Sequence, residues 1–355
     1  MSEPTGALKR PEASELMLSV EGLSVEYAAR RPTRAVRGVS FDLGRGEVLG
    51  IAGESGCGKS TLAYAIARLL RPPAQLTGGT VTFRSTGGPP VDLMALTGEQ
   101  LREFRWNKVS MVFQSAMNAL NPVTSIGRQF ADIFAAHRLD MDAAARAQRT
   151  RELLEMVGID SERARGFPHE LSGGMRQRVV IAMALALEPE LVIMDEPTTA
   201  LDVVVQRGIL DEIERLREEL GFSVVFITHD LSLLLELSDR LAVMYAGQIV
   251  EYAPTEQIGS APAHPYTQGL LGSFPDMRGE RRELHGIPGS PPDLRADFPG
   301  CPFAPRCRHA FDPCHTTQPR LLPVPGRDPG WQAACHLLMR DPSPGLTEAR
   351  VEGGA

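Results

Sequence analysis

The sequence lacks the long apolar run that a membrane-spanning helix needs. Nowhere in its 355 residues do about eighteen apolar residues stand uninterrupted, and the best stretch, 179–194, is broken by Glu188, Pro189 and Glu190. The segment before Leu16 is polar and has no apolar core of the secretory kind, so the chain is expected in the cytoplasm. An excess of positive charge is also missing. Acidic residues outnumber basic ones by 44 to 37, for a formal net charge of -7. No global positive field is available to hold a nucleic-acid backbone. Cysteine is scarce and skewed: Cys57 stands alone, while Cys301, Cys307, Cys314 and Cys335 crowd the C-terminal end. In a reducing compartment that skew points to metal rather than to disulfides. There is no internal repeat and no homopolymeric segment.

What is present is ordinary globular usage, 43% hydrophobic and 23% charged, enough for a full-sized core with an appendage or for two domains. Residues 1–16 have no period and read as a tail. Leu18, Val20, Leu23, Val25 and Tyr27, then Val36, Val39, Phe41 and Leu43, alternate as half-buried antiparallel strands do. The runs 48–51, 191–194 and 224–227 are wholly apolar, as central strands covered on both faces are. Helical spacing covers 59–70, stopped by Pro72 and Pro73, and recurs over 176–187 and 203–219. Between about 115 and 175 the apolar residues repeat only at three and four, which predicts a helical insert. Beyond residue 255 the composition turns to Pro, Gly and Arg and the periodicity fades. The expected fold class is α/β: a P-loop NTPase core with a mainly parallel sheet, an antiparallel β subdomain before it, the helical insert, and an irregular cysteine-containing C-terminal appendage.

Gly53-Glu54-Ser55-Gly56-Cys57-Gly58-Lys59-Ser60 fits G-x-x-x-x-G-K-[ST] and lies between an expected buried strand and an expected helix, the context the motif requires. Its glycines let successive N–H groups converge on phosphate oxygens, and the helix N-terminus adds positive potential. Lys59 is the residue for the β and γ phosphates and Ser60, followed by Thr61, the hydroxyl for Mg²⁺. Cys57 is read as a tolerated small residue rather than a redox switch. The apolar run at 191–194 ends in Asp195 and Glu196, suited to orienting Mg²⁺ and polarising an attacking water respectively. Taken alone, such an acidic pair is as often a cap or a solvated turn. Gln114 and His229, each at the end of an apolar strand, are unremarkable by themselves.

Leu171-Ser172-Gly173-Gly174-Met175 makes a second glycine-led helix start, again suited to an anion. With residues 53–60, Gln114, Asp195, Glu196, Ala200-Leu201-Asp202 and His229, this ordered set closely resembles the ATP-binding subunit of ABC transporters over about residues 17–255. The resemblance implies that Lys59 and Ser60 are the Walker A pair and Asp195 and Glu196 the Walker B aspartate and catalytic carboxylate. It further implies that Gln114 links Mg²⁺ to a transmembrane partner, that His229 contacts the γ-phosphate, that Asp202 is the D-loop residue and that Tyr27 stacks on adenine. Ser172, Gly173 and Gly174 would bind the ATP held by the opposite subunit, so that two subunits close over two nucleotides.

His264-Pro265-Tyr266-Thr267, Gly286-Ile287-Pro288-Gly289 and Gly300-Cys301-Pro302-Phe303-Ala304-Pro305-Arg306-Cys307 resemble the tail of oligopeptide and dipeptide importer ATPases, and residues 256–355 are assigned to that extension. This implies a second ATPase subunit, a heterodimer, on two permeases fed by an extracellular binding protein, at the cytoplasmic face of the cell membrane, with no nucleic-acid partner. The cysteine spacing fits neither common zinc patterns nor ferredoxin runs. In some relatives these positions ligate a [4Fe–4S] cluster; zinc and an unmetallated thiol group are the alternatives, with His309, His315 and His336 as substitute ligands. The stretch 114–122 departs from the Asp-Pro-containing version associated with many peptide systems, and members of the same subfamily import oligosaccharides or nickel. A GTPase is disfavoured because Asn-Lys-x-Asp is absent; a non-transport ABC ATPase is disfavoured because neither tandem cassettes nor a long coiled coil is present.

Overall fold

The computed structural model describes residues 15–114, 119–138, 140–199, 201–273 and 286–339. The expected N-terminal tail up to residue 14, positions 115–118 of the stretch after Gln114, Ala200, and the end of the appendage from residue 340 lie outside the described residues.

Strands β1 (Leu16–Tyr27) and β2 (Thr33–Gly44) pair antiparallel, with Val20 opposite Phe41 and Leu23 opposite Val39. Next come β3 (Val48–Ala52), α1 (Lys59–Ile66), β4 (Ala74–Arg84), β5 (Pro90–Asp92) and α2 (Gly98–Asn107). Strands β4 and β5 extend the antiparallel sheet to four strands, in the order β2-β1-β4-β5. The sequence does not announce β4, because only Val81 and Phe83 of its eleven residues are buried. Helix α1 ends four residues earlier than its spacing predicts. Arg68 takes a left-handed conformation, φ 58°, and its guanidinium donates to the Leu93 carbonyl at 3.0 Å. The Leu69 N–H donates to the Tyr64 carbonyl at 2.8 Å, so a local left-handed C-cap ends the helix before the prolines are reached.

The chain continues through β6 (Val109–Val112), α3 (Ile126–His137), α4 (Ala143–Met156), α5 (Gly173–Ala184), β7 (Leu191–Asp195), α6 (Val203–Leu220), β8 (Ser223–Ile227), α7 (Leu231–Leu237), β9 (Arg240–Tyr245) and β10 (Gln248–Pro254). Then follow α8 (Thr255–Ser260), α9 (Pro265–Gly272), α10 (Asp312–Thr316), β11 (Leu322–Pro323) and β12 (Gln332–Ala333). The main sheet has the order β11-β12-β10-β9-β3-β8-β7-β6. From β9 to β6 every neighbour is parallel, and the β10, β12 and β11 edge is antiparallel. The fold is mixed α/β with a mainly parallel sheet, as the alternating pattern implies.

All five residues of β3, β7 and β8 are buried, and their side chains divide by the two-residue period of a strand. Val192, Met194, Val224 and Phe226 join Phe130, Leu153 and Ile209 in the core on the helical side. Leu191, Ile193, Val225 and Ile227 join Leu62, Val20 and Phe83 between the main sheet, α1 and the antiparallel sheet. At roughly 1.5–3 kcal/mol per fully buried large apolar side chain, the second of these layers is the main attachment of one sheet to the other.

Helix α5 starts three residues earlier than the sequence spacing predicts. Ser172 caps it by accepting from the Met175 N–H at 3.3 Å, so Gly173 and Gly174 form its first turn. The C-terminal extension is irregular but joins the main core through Tyr266, Phe303, Val324 and Trp331. Its anchor is Glu251 on β10, fully buried, which accepts hydrogen bonds from the N–H groups of Ala263 (2.7 Å) and His264 (3.0 Å) and from Trp331 Nε1 (2.9 Å).

Candidate nucleotide site

The parallel strands β3, β6, β7 and β8 present their C-terminal ends along one edge of the sheet, where open α/β sheets bind ligands. The glycine-rich turn leaves β3 there and enters α1. Gly53 and Gly58 have φ of 146° and 110°, and a Cβ on either would lie 2.3 Å from the Met244 carbonyl oxygen or 2.1 Å from that of Ala35. Only glycine lets the backbone pass this close. Lys59 Nζ donates to the carbonyls of Gly53 (2.7 Å) and Glu54 (3.1 Å), spanning the turn. Ser55 and Gly56 form its tip. Burial pushes the Cys57 thiol up, consistent with a small packed residue rather than a reactive one.

Ser60 Oγ donates to Asp195 Oδ1 at 3.0 Å. Asp195 is fully buried, and its Oδ2 has no hydrogen-bond partner among the described residues. Burial raises its pKa, the bond from Ser60 opposing the shift. A buried carboxylate with a spare oxygen beside a serine hydroxyl is the hard-oxygen donor set that Mg²⁺ takes. The residues present therefore fit the ion.

Glu196 sits just past β7 in a left-handed conformation, φ 48°, with its N–H donating to the Ile227 carbonyl at 2.8 Å. Three side chains meet its carboxylate. Gln114, two residues past β6, donates through Nε2 at 3.0 Å; Thr199 donates through Oγ1 at 2.9 Å; His229 Nδ1, two residues past β8, stands 3.5 Å away. Gln114 and His229, indistinct in the sequence, are brought together by strand order. Thr199 was not anticipated and carries no motif signal beyond its place three residues after Glu196. Tyr27 reaches α1, its hydroxyl 3.1 Å from Thr61 Oγ1.

Ser172, Gly173 and Gly174 stand elsewhere, at the exposed start of α5, and the hydrogen bonds of Ser172 stay within that helix. A Cβ on Gly174 would lie 2.5 Å from Val205 Cγ1, so this turn abuts the start of α6, which Asp202 caps by accepting from the Val205 N–H at 2.9 Å. The structure does not join this group to the chain's own glycine-rich turn by any hydrogen bond among the described residues.

The four C-terminal cysteines line one small cavity with His264, while the Cys301 N–H donates to the Cys314 carbonyl at 2.8 Å. Burial first, and neighbouring thiols after it, push the Cys301 and Cys335 thiols up to about 11. His309 and His336 also line the cavity; His315 does not. Among the described residues no group of three or more His, Cys, Asp or Glu side chains gathers closely enough to hold a metal ion. That absence supports neither the [4Fe–4S] expectation nor the zinc alternative.

The ABC transporter family matches residues 36–199, and the family described as the oligopeptide/dipeptide transporter C-terminal region matches residues 250–314. The chain is 45% identical, over 91% of its length and 95% of the relative's, to a probable peptide ABC transporter ATP-binding protein of Sinorhizobium fredii. The chain belongs to the ABC transporter ATP-binding family. This ABC ATPase is also 44% identical to the dipeptide transport ATP-binding protein DppD of Bacillus subtilis, over 86% of this chain and 90% of that one. A solved ATP-binding cassette, a dimer in a post-hydrolysis state bound to ADP and Pi, superposes with a TM-score of 0.59 at 29% identity, covering 67% of this chain and 99% of the other. The ABC ATPase binds and hydrolyses ATP, as its family does. No described helix is long and apolar enough to cross a membrane.

Proposed function

We propose that this ABC ATPase powers a peptide importer by closing with a second ATPase subunit over two ATP molecules. The observation that carries this reading is the convergence of Gln114, Thr199 and His229 on Glu196, next to the Ser60–Asp195 pair, in a chain whose tail matches the oligopeptide/dipeptide family. Backbone N–H groups of residues 53–60 and Lys59 hold the triphosphate, and Tyr27 stacks on adenine. Mg²⁺, held by Ser60, Asp195 and Gln114, would supply neutralisation of phosphate charge. Glu196 takes the proton of the attacking water, and His229 orients Glu196 while reaching the γ-phosphate. Ser172, which is exposed, covers the ATP of the partner together with Gly173 and Gly174, with Asp202 at the join. The named relatives' peptide and dipeptide transport supports peptides over oligosaccharides or nickel as cargo. The complex so formed lies at the cytoplasmic face of the membrane on two permease subunits, with an extracellular binding protein.

The test is reconstitution of the assembled transporter in vesicles with its binding protein. Di- and oligopeptides stimulate ATP hydrolysis in the proposed reading; stimulation by oligosaccharide or Ni²⁺ and not by peptide overturns it. The four thiols are proposed as the ligands of a [4Fe–4S] cluster, which interposes its own atoms between thiolates that do not converge on one point. The support is the cavity they share. Anaerobically purified chain without iron and acid-labile sulfide rules the cluster out.

A further inference from the structure

Two of the three C-terminal motifs reach one residue of the phosphate loop and the third braces one of them, and the functional reading gives none of them a task. Glu54, the second residue of that loop, is a carboxylate placed in what is otherwise a cradle for negative charge. Arg306 grips it bidentately, Nη1 to Oε2 at 2.7 Å and Nη2 to Oε1 at 2.9 Å. The Arg306 side chain is only 6% exposed. Its Nε donates to the Pro288 carbonyl at 2.8 Å and its Nη1 to the Tyr245 hydroxyl at 3.3 Å. Tyr266, fully buried, accepts from the Glu54 N–H at 2.9 Å. Thus Tyr266 of the first motif, Pro288 of the second and Arg306 of the third meet at one side of the nucleotide turn. Fork-to-fork pairs of this kind fix geometry as well as charge.

We infer that Arg306 is a positioning residue of the nucleotide site, cancelling the charge of Glu54 and holding the loop in shape, so that the C-terminal extension sets the affinity for ATP. The inference rests on the reading that residues 53–60 hold the phosphates. Without its partner, Glu54 is an unpaired anion within the phosphate cradle and repels the triphosphate. Without Glu54, the guanidinium is an uncancelled cation at the same place and attracts it. The two halves of one ion pair therefore act on ATP in opposite directions, which a purely structural clamp cannot do.

The experiment measures binding of ATP and ADP with Mg²⁺ by titration calorimetry on the full chain, with a melting curve for each variant. Arg306→Met weakens ATP about tenfold, as expected for an unmatched charge near the phosphates in a medium of intermediate dielectric. Glu54→Gln tightens ATP binding about threefold or more, and the Glu54→Gln/Arg306→Met double variant returns to within about threefold of the parent. Unchanged or weakened binding in Glu54→Gln, or a double variant as weak as Arg306→Met alone, overturns the inference and leaves Arg306 a packing residue. Lys59→Ala separates the two layers of the argument. Its loss of ATP binding supports the loop reading on its own, and its retention overturns that reading together with the inference.

Discussion

Replacing Glu251 tests whether one buried carboxylate fastens the C-terminal extension to the ATPase core. Two of its three donors, the Ala263 N–H and Trp331 Nε1–H, share Oε1, and the third, the His264 N–H, takes Oε2. In Glu251→Ala all three are left unsatisfied among buried neighbours. At roughly 1–3 kcal/mol for each such group the loss is about 3–9 kcal/mol, a large part of a typical domain's stability. In Glu251→Gln the amide oxygen keeps the two donors that share one atom, while its NH₂ faces the His264 N–H, donor against donor. That single conflict costs about 1–3 kcal/mol. The assay is guanidinium unfolding followed by the fluorescence of Trp331, which is 2% exposed, with Trp106 replaced by Phe. The Trp331 transition moves to lower denaturant in the order parent, Gln, Ala. A loss under about 1 kcal/mol in Glu251→Ala, or a Gln variant as damaged as the Ala variant, refutes the reasoning.

Glu196→Gln lowers turnover by at least about 100-fold while ATP affinity stays within about threefold, because the amide keeps the shape of the site and cannot take the proton; normal turnover removes Glu196 from the role of base. Ser172→Arg leaves ATP binding by the isolated chain within about twofold but cuts hydrolysis in the assembled complex by about tenfold or more, as loss of a group facing the partner's nucleotide requires. Equal damage to both measurements would return Ser172 to being only the cap of α5. His264 gives a pH signature. Burial holds its pKa down at about 3 against an ordinary 6.5, and its Nδ1 accepts from the Tyr266 N–H at 3.0 Å. The unfolded chain takes up the proton first, so stability is intact above pH 6.5 and falls by up to about 1.4 kcal/mol per pH unit from there towards pH 3. Chemical denaturation across that window detects the slope, and His264→Asn, which keeps a capping acceptor, flattens it.

The glycine-rich turn was legible because its requirements are local: eight consecutive residues carry the positive φ values, the lysine and the serine. The apolar runs of β3, β7 and β8 were legible for a related reason, since burial on both faces leaves little room for polar side chains. Where the sequence misled, the local signal was absent. Arg68 takes the left-handed C-cap position of α1 that glycine would have announced, and β4 hides because only Val81 and Phe83 of it are buried. The site around Glu196 could be assembled only by knowing that β6, β7 and β8 lie side by side. The Arg306–Glu54 pair spans 252 residues and follows no period, so each partner looks like an ordinary charged residue until the chain is folded. The three C-terminal motifs were visible as sequence; what they touch was not.

The pairing of β12 with β10 also bears on how the protein is made. Glu251 leaves the ribosome 80 residues before Trp331, the partner that caps it. At bacterial and eukaryotic synthesis rates of about 5–20 residues per second, that is a wait of roughly 4–16 seconds. During this interval the nascent sheet has an open flank of unpaired peptide groups and a carboxylate without its full set of donors. A chain released early by a stop codon shortly after residue 314 would keep that flank exposed permanently, and its fate would be association with other truncated chains rather than a smaller working motor.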